Sequence, residues 1–341
     1  MLRQRSLPRG NLLFFLTIIT VIILLPQIIF AQPLPQKEKE PTPPQEIIKQ
    51  LPKSYRTNTS RNIQIIIDPN SKDPKVVQYL TQEALKRAYE EYRRCQRDLK
   101  CSDISKITIV FINSNDLRKY YPGATEFFGA MHRDGYIFIT FPEKDNLEYC
   151  LRATLPHETQ HCVLFHFLQK QNINIKDLSQ WIKEGLASYN ENLSSRIALM
   201  ERIIEIVPPD EKDLDLTYIN VEDNLLDLPL VIWLPTSYPW AHSFISFMKD
   251  EKKIDSQKLI EFEKARLNCL QKSGGKKDDK YKNCVLEKIE KFFGDSLRNL
   301  VEEWVKWQPK YLEKLKQLKK AESKFKQQSR LKHPNSKKWP Y

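Results

Sequence analysis

The sequence predicts an α+β protein: a small mixed β-sheet lobe followed by a mainly helical lobe. Three observations carry this. Between residues 63 and 141, short β-branched runs are separated by helical and turn signals. From Asp145 onward, apolar residues recur at helical spacing and no further strand pattern intervenes. At the junction stands His157-Glu158-Thr159-Gln160-His161, a His-Glu-x-x-His pattern that makes chemical sense only on a helix.

The elements of the first lobe follow in order. Ile63–Asp68 reads as a strand stopped by Asp-Pro. Asp73-Pro74 opens a helix to about Gln96, with Val76, Val77, Leu80, Ala84, Leu85, Ala88 and Tyr92 as its apolar positions. Lys106–Ile112 is a second strand, and Asn115–Tyr121 a short helix stopped by Pro122-Gly123. Ala130–Arg133 and Tyr136–Phe141 form a hairpin about Asp134-Gly135, a dipeptide that accepts the positive φ angles of a two-residue turn. In the second lobe, Pro156 either starts the motif helix or kinks one that begins near Asn146. Further helices are expected over Leu178–Ile206, Tyr238–Lys249, 252–293 with an inserted loop, and Ser296–Trp307 capped by Asp295. Residues 209–235 are acidic, contain proline and read as an irregular crossing.

Outside this core the composition changes. Arg3, Arg5 and Arg9 precede an uncharged stretch from Asn11 to Ala31. Residues 1–31 thus fit a signal peptide or, since 11–31 is long enough to span a bilayer, an uncleaved membrane anchor. Either way the rest of the chain is exported. Residues 32–62 hold six prolines among Gln, Lys and Glu and read as a linker. The net charge of +12 is concentrated at the far end, where the last 38 residues carry 11 Lys and one Arg against two Glu. Residues 309–341 are a basic tail, periodic at Tyr311, Leu312, Leu315 and Leu318. Export argues against nucleic acid as its partner and leaves anionic surfaces. The six cysteines permit disulfides on the exported side, with Cys95–Cys101 and Cys269–Cys284 as local pairs. Cys150 and Cys162, on one straight helix, would lie about 18 Å apart, too far to bridge. Phosphate-binding glycine loops are absent.

The motif has a definite chemical reading. Residues i and i+4 of a helix share a face, so His157 and His161 can both reach one metal ion, with Glu158 beside it to take a proton from water. A catalytic zinc needs a third protein ligand and an open position. Trp181-Ile182-Lys183-Glu184-Gly185-Leu186-Ala187-Ser188-Tyr189 follows at a distance that allows one loop and a helix packed back on the first. Glu184 then supplies the third ligand, while Gly185 and Ala187 permit close approach.

H-E-x-x-H followed by W-x-x-E-G-x-A-x-Y resembles the gluzincin metallopeptidases, in particular the peptidase MA-like domains. The resemblance runs from about Gly123 to Trp307 and includes Phe128-Gly129-Ala130, the strand Tyr136–Phe141 and a Tyr-x-x-Ala-x-Ser-Phe-Ile helix at Tyr238–Ile245. It implies a zincin-like fold over 63–308 with the metal between the lobes. It implies one zinc per chain held by His157, His161 and Glu184, and Glu158 as general base. An oxyanion donor is expected at Tyr238 or, one turn on, at His242. Tyr136–Phe141 would be the sheet edge that pairs with an extended peptide. The metzincin branch is excluded, because Leu164 and Phe167 stand where its Gly and His belong. Some gluzincins carry Asp four residues after the ligand Glu; Ser188 stands there, and Glu191 is the nearest substitute for orienting an imidazole. His166 is expected to face away, and His132 and His333 to be surface residues.

The function expected is therefore an exported zinc metallopeptidase acting on a peptide or protein substrate, secreted, periplasmic or anchored on the extracytoplasmic side. The alternative is a non-catalytic zincin-like protein that docks to anionic surfaces through its basic tail. The intact Glu158 weighs against it, since metal binding alone does not require that side chain.

Overall fold

The computed structural model describes residues 42–102, 105–120, 129–206 and 237–332. The expectations for 1–31, 209–235 and His333, and the first part of the 32–62 stretch, lie outside the described residues. Within them the protein is α+β as expected: a five-stranded mixed sheet, then a mainly helical part.

The sheet is built from β1 (Arg56–Ser60), β2 (Ile63–Ile67), β3 (Ile107–Ile112), β4 (Ala130–Arg133) and β5 (Tyr136–Thr140), in the order β1-β2-β3-β5-β4. β2, β3 and β5 are parallel, and β1 and β4 are antiparallel edges. β3 is buried along its whole length, which is why Ile107–Ile112 shows no polar alternation beyond Thr108. Asp134 (φ 48°) and Gly135 (φ 82°) make the hairpin turn with the two positive φ angles that Asp-Gly tolerates.

Both faces of the sheet are covered. The main core joins β2, β3 and β5 to α2 (Pro74–Asp98), which is capped by the Asp73 carboxylate accepting from Lys75 N–H at 2.7 Å, and to the motif helix α4 (Leu155–Gln169). A smaller cluster on the other face packs Ile66, Val110 and Phe138 against α1 (Pro44–Gln50) and α3 (Ser114–Tyr120). The helical part continues with α5 (Gln180–Tyr189), α6 (Leu193–Ile206), α7 (Ser237–Asp250), α8 (Ser256–Lys272), α9 (Asp279–Phe293) and α10 (Leu297–Lys332).

Several expectations are corrected. The stretch 32–62 is not all linker: α1 and β1 lie in it, and Ile47 is fully buried beneath the sheet. Proline content hid both, although Pro44 sits at a helix start, where its missing N–H costs nothing. The sheet edge is β4; β5 pairs on both sides. The helix expected over Leu178–Ile206 breaks into α5 and α6 at Asn190. The last helix does not stop at Trp307 but runs through Pro309, with Tyr311 and Leu315 buried, so the basic tail starts inside the fold. Its first turn bonds to Ser296, whose hydroxyl accepts from Asn299 N–H, while the Asp295 carboxylate accepts from Ser296 N–H and Asn299 Nδ2. Cys269–Cys284 is a disulfide, joining α8 to α9. Cys95 and Cys101 are unbridged thiols; Cys95 points into the core and donates to Glu91.

In the helical part α5 packs closely on α7 at Gly185. A Cβ added at Gly185 would lie 2.6 Å from the Ala241 carbonyl oxygen and would overlap the Ile245 side chain. Gly185→Ala is therefore expected to destabilise the protein by about 1–3 kcal/mol in urea melting, despite a helix-propensity gain of about 1 kcal/mol. An unchanged or raised midpoint would show that the two helices separate freely.

Candidate metal centre

The motif helix is entered through a wide turn. After a single turn at Leu147–Tyr149, residues Cys150–Thr154 form a π-helical turn in which Leu155 N–H bonds to the Cys150 carbonyl. Pro156 follows at once. Its missing N–H asks for no acceptor, and the wider turn makes room for its ring. Pro156 thus stands in the first turn of the motif helix, as one of the two expected readings had it, and a helical run from Leu147 leads into it through the π turn. His157 and His161 come to one face with ring centroids 4.8 Å apart.

α5 brings Glu184 against both rings. His157 Nε2 and His161 Nε2 are 3.1 Å apart, and Glu184 Oε2 lies 3.4 Å from the first and 3.3 Å from the second. The other carboxylate oxygen, Oε1, accepts from Gln180 Nε2 at 2.8 Å, which fixes the carboxylate's orientation. Oε2 is buried with no hydrogen-bond donor of its own. His157 Nδ1 meets Glu191 Oε1 at 2.9 Å, so the ring turns Nε2 towards the triangle. These three residues form a candidate metal-holding group among the described residues.

The donor set fits zinc. Tetrahedral coordination with bonds of about 2.0–2.1 Å places ligand atoms about 3.3 Å apart, and the triangle here has edges near that length. The electrostatics point the same way. Glu158, Glu184 and Glu191 bring three carboxylates into one buried site, and a cation is the natural compensation. Without one, His157 serves as a substitute. Burial pushes the His157 pKa down, but Glu184 and Glu191 outweigh it and hold the ring protonated up to about 10. Burial raises Glu184, but His161 and His157 keep it well below the usual carboxylate range. Glu158 moves the other way: burial raises its pKa against the pull of the two imidazoles, making it a stronger base than a surface carboxylate.

Around this centre the structure places the other expected residues. Tyr238, at the start of α7, is about one-third exposed with its ring 6.0 Å from that of His157. Burial, with the charges of Glu184 and Glu158, raises its pKa and keeps its hydroxyl protonated. His242 has no accessible surface, and burial lowers its pKa to about 3. It cannot meet a substrate, so Tyr238 is left as the donor candidate. Ser188 bonds back to the Glu184 carbonyl at 2.7 Å and does not serve the imidazoles; Glu191 does.

His132 corrects its surface reading. It stands on the edge strand β4, with its ring stacked on His161 at 6.2 Å and packed on Phe165. Its Nε2 accepts from Gly135 N–H at 3.2 Å, and burial lowers its pKa to about 3, so it stays neutral. His166 packs beneath Gly135, away from the triangle, as expected.

Sequence reasoning missed Gln160 as well. This buried residue accepts from Asn190 Nδ2 at 2.7 Å and ties the motif helix to the bend that delivers Glu191. The only signal was that a polar side chain stands where an apolar one would serve packing alone. Beside His157 and Glu158 opens a cleft of about 830 Å³, walled by Tyr149, Arg152, Leu193, Leu199, Arg202, Tyr238 and Glu322.

A family model described as a predicted Zn-dependent protease (DUF2268) matches residues 80–194. Over that segment the chain is similar to a zinc-protease family. The segment contains the triangle and Glu191 and ends before Tyr238. No curated protein and no solved structure matches the chain.

The metal-free centre makes a pH prediction. A His157 pKa of about 10, raised above its unfolded value, stabilises the metal-free fold fully below about pH 6.5, and that contribution is lost as pH rises through about 10. Zinc must displace that proton, so binding at pH 7.5 is expected to release about one proton, and affinity should fall as pH falls. Calorimetry in buffers of different ionisation enthalpy measures this; zero release would contradict a protonated His157. Glu191→Gln is expected to weaken zinc binding about 10–100-fold while the folded spectrum persists.

Proposed function

We propose that the protein is an exported zinc metallopeptidase of the gluzincin type, with a zincin-like fold whose metal centre lies between sheet and helices. One observation carries the reading: His157, His161 and Glu184 form a buried, near-equilateral triangle of ligand atoms with a basic carboxylate, Glu158, beside it in an open cleft. A structural zinc site would close its fourth position with protein; here the neighbour is a cleft. The family match over 80–194 supports the same class. Export rests on the apolar segment at 11–31, which follows three arginines.

Zinc, when bound, would supply the Lewis acidity that activates water near neutral pH and polarises a carbonyl. The chain's own residues then have definite tasks. Glu158, with its raised pKa, accepts the proton of the attacking water and returns it to the leaving nitrogen as the amide bond breaks. Tyr238 keeps its proton and donates a hydrogen bond to the carbonyl oxygen as negative charge gathers there. Glu191 holds the His157 ring in place through Nδ1. Among the described residues β4 is the sheet edge beside β5, and its outer side offers main-chain hydrogen bonds to an extended peptide.

Glu158→Gln is expected to abolish peptide hydrolysis while one zinc per chain is retained by metal analysis. Tyr238→Phe is expected to lower kcat by about 10²–10³-fold with little change in KM. Stoichiometric zinc with no cleavage of any peptide library by the wild-type protein would sink the peptidase reading.

A further inference from the structure

The cleft does not end at the metal centre. Its far wall includes Arg202 of α6 and Glu322 of α10, so the C-terminal helix borders the same space as His157 and Glu158. Along α10, Tyr311, Leu315, Leu318, Glu322 and Phe325 recur every three or four residues and share one face. The first two are buried against the protein body. Past Leu315 the apolar members of the stripe are exposed: Leu318 is 46% and Phe325 70% exposed. Large exposed apolar side chains among the described residues are Tyr149, Tyr238, Leu318 and Phe325, and the first two line the cleft. Glu322, between Leu318 and Phe325 on this face, is the point at which the α10 stripe meets the cleft.

The helix is basic where its stripe is bare. Lys314 and Lys319 flank Leu318 on either side of the stripe at helical spacing. Lys316, on another face, is used internally in an ion pair with Glu201 at 2.8 Å, which holds α10 on α6. From Leu318 to Phe325 the ridge is about 10 Å long, the reach of about three residues of extended chain.

We propose that this outward half of α10 is a docking ridge for the substrate polypeptide. An extended segment that leaves the cleft past Glu322 lies on Leu318 and Phe325, with its carboxylates against Lys314 and Lys319. The preferred substrate class is therefore a polypeptide, longer than the cleft alone accommodates, that carries acidic and apolar residues on one side of the scissile bond. The ridge's continuity with the cleft through Glu322 selects a polypeptide over a lipid surface or a second copy of the chain, and its lysines select an acidic one. The proposal rests on the peptidase reading of the cleft.

The test reads binding, so that it stands apart from catalysis. Zinc-loaded full-length Glu158→Gln protein is titrated against a fluorescein-labelled peptide of mixed Glu, Leu, Phe and Ser, and against its counterpart with Lys for Glu, by fluorescence polarisation. The acidic peptide is expected to bind at least about tenfold tighter at low salt, and Leu318→Ser with Phe325→Ser to remove most of that advantage. Lys314→Glu with Lys319→Glu should remove it too. All four positions are on the protein surface or its rim, so unchanged thermal melting checks that the fold survives. Equal binding of both peptides, or indifference to these substitutions, overturns the proposal. So does binding to vesicles of phosphatidylcholine with phosphatidylglycerol that the same substitutions abolish while peptide binding persists, which assigns the ridge to lipid. A dimer in sedimentation that they dissociate, with peptide binding untouched, assigns it to a second copy. Should the wild type cleave short peptides while the ridge variants bind normally, the ridge falls and the peptidase reading stands. Loss of cleavage in every assay removes the peptidase reading instead.

Discussion

A carboxylate buried without enough donors is the constraint around which this protein is arranged. Glu184 sits in the interior with one oxygen satisfied by Gln180 and the other facing two imidazoles, with the Tyr238 hydroxyl nearby. An isolated buried charge costs several kcal/mol, so the surroundings must return it or the group must neutralise. Here they do return it, by holding His157 protonated when no metal is present. That substitute is imperfect: three carboxylates share the neighbourhood, and Glu158 is driven towards its neutral form by the same burial. A divalent cation relieves all of these conflicts at once, which is why the triangle reads as a binding site and not as a structural ion-pair network.

The fold serves to place two helices against each other at this point. The covered sheet fixes α4 through the main core, and the edge strand β4 sets His132 against the back of His161. On the other side, α5 approaches α7 so closely that only Gly185 fits under Ala241. A larger residue there would force the two helices apart. Farther out, Ser179 N–H at the start of α5 bonds to the buried Glu263 carboxylate at 2.8 Å, and Glu263 is held by Arg266 on the same helix, one turn before the Cys269–Cys284 link. The helix that carries Glu184 is thus anchored at its beginning by α8 and in its middle by α7.

What was legible in the sequence divides along physical lines. His157, His161 and Glu184 were readable because one turn of helix and one antiparallel return set their spacing locally. The β3 and hairpin strands were readable from β-branched runs and Asp-Gly. What failed depends on tertiary placement. β1 is a fully exposed edge strand with the sequence RTNTS, so no apolar alternation marks it. Which hairpin strand forms the outer edge is set by pairing with β3, to which local pattern is blind. His132 carries no motif, and only the sheet's edge brings it to His161. Pro309 suggested a helix end, yet the burial of Tyr311 and Leu315 beyond it carries the helix through.

The exchange of Ser188 for Glu191 shows how such a site is supported when helical register does not supply the partner. A carboxylate one turn after Glu184 would lie on the same helix and need no further support. Glu191 lies beyond the end of α5, so its position depends on the bend at Asn190. That bend is held twice: Asn190 Nδ2 donates to Gln160 on the motif helix, and its carbonyl accepts from Arg94 of α2 at 2.7 Å. Arg94 is itself paired with Glu91, a carboxylate that burial would otherwise neutralise. The orientation of His157 is thus tied through Glu191, Asn190 and Arg94 to a helix that touches no ligand. The polar side chain of Gln160, inside the motif itself, is the point at which that support returns to the metal centre.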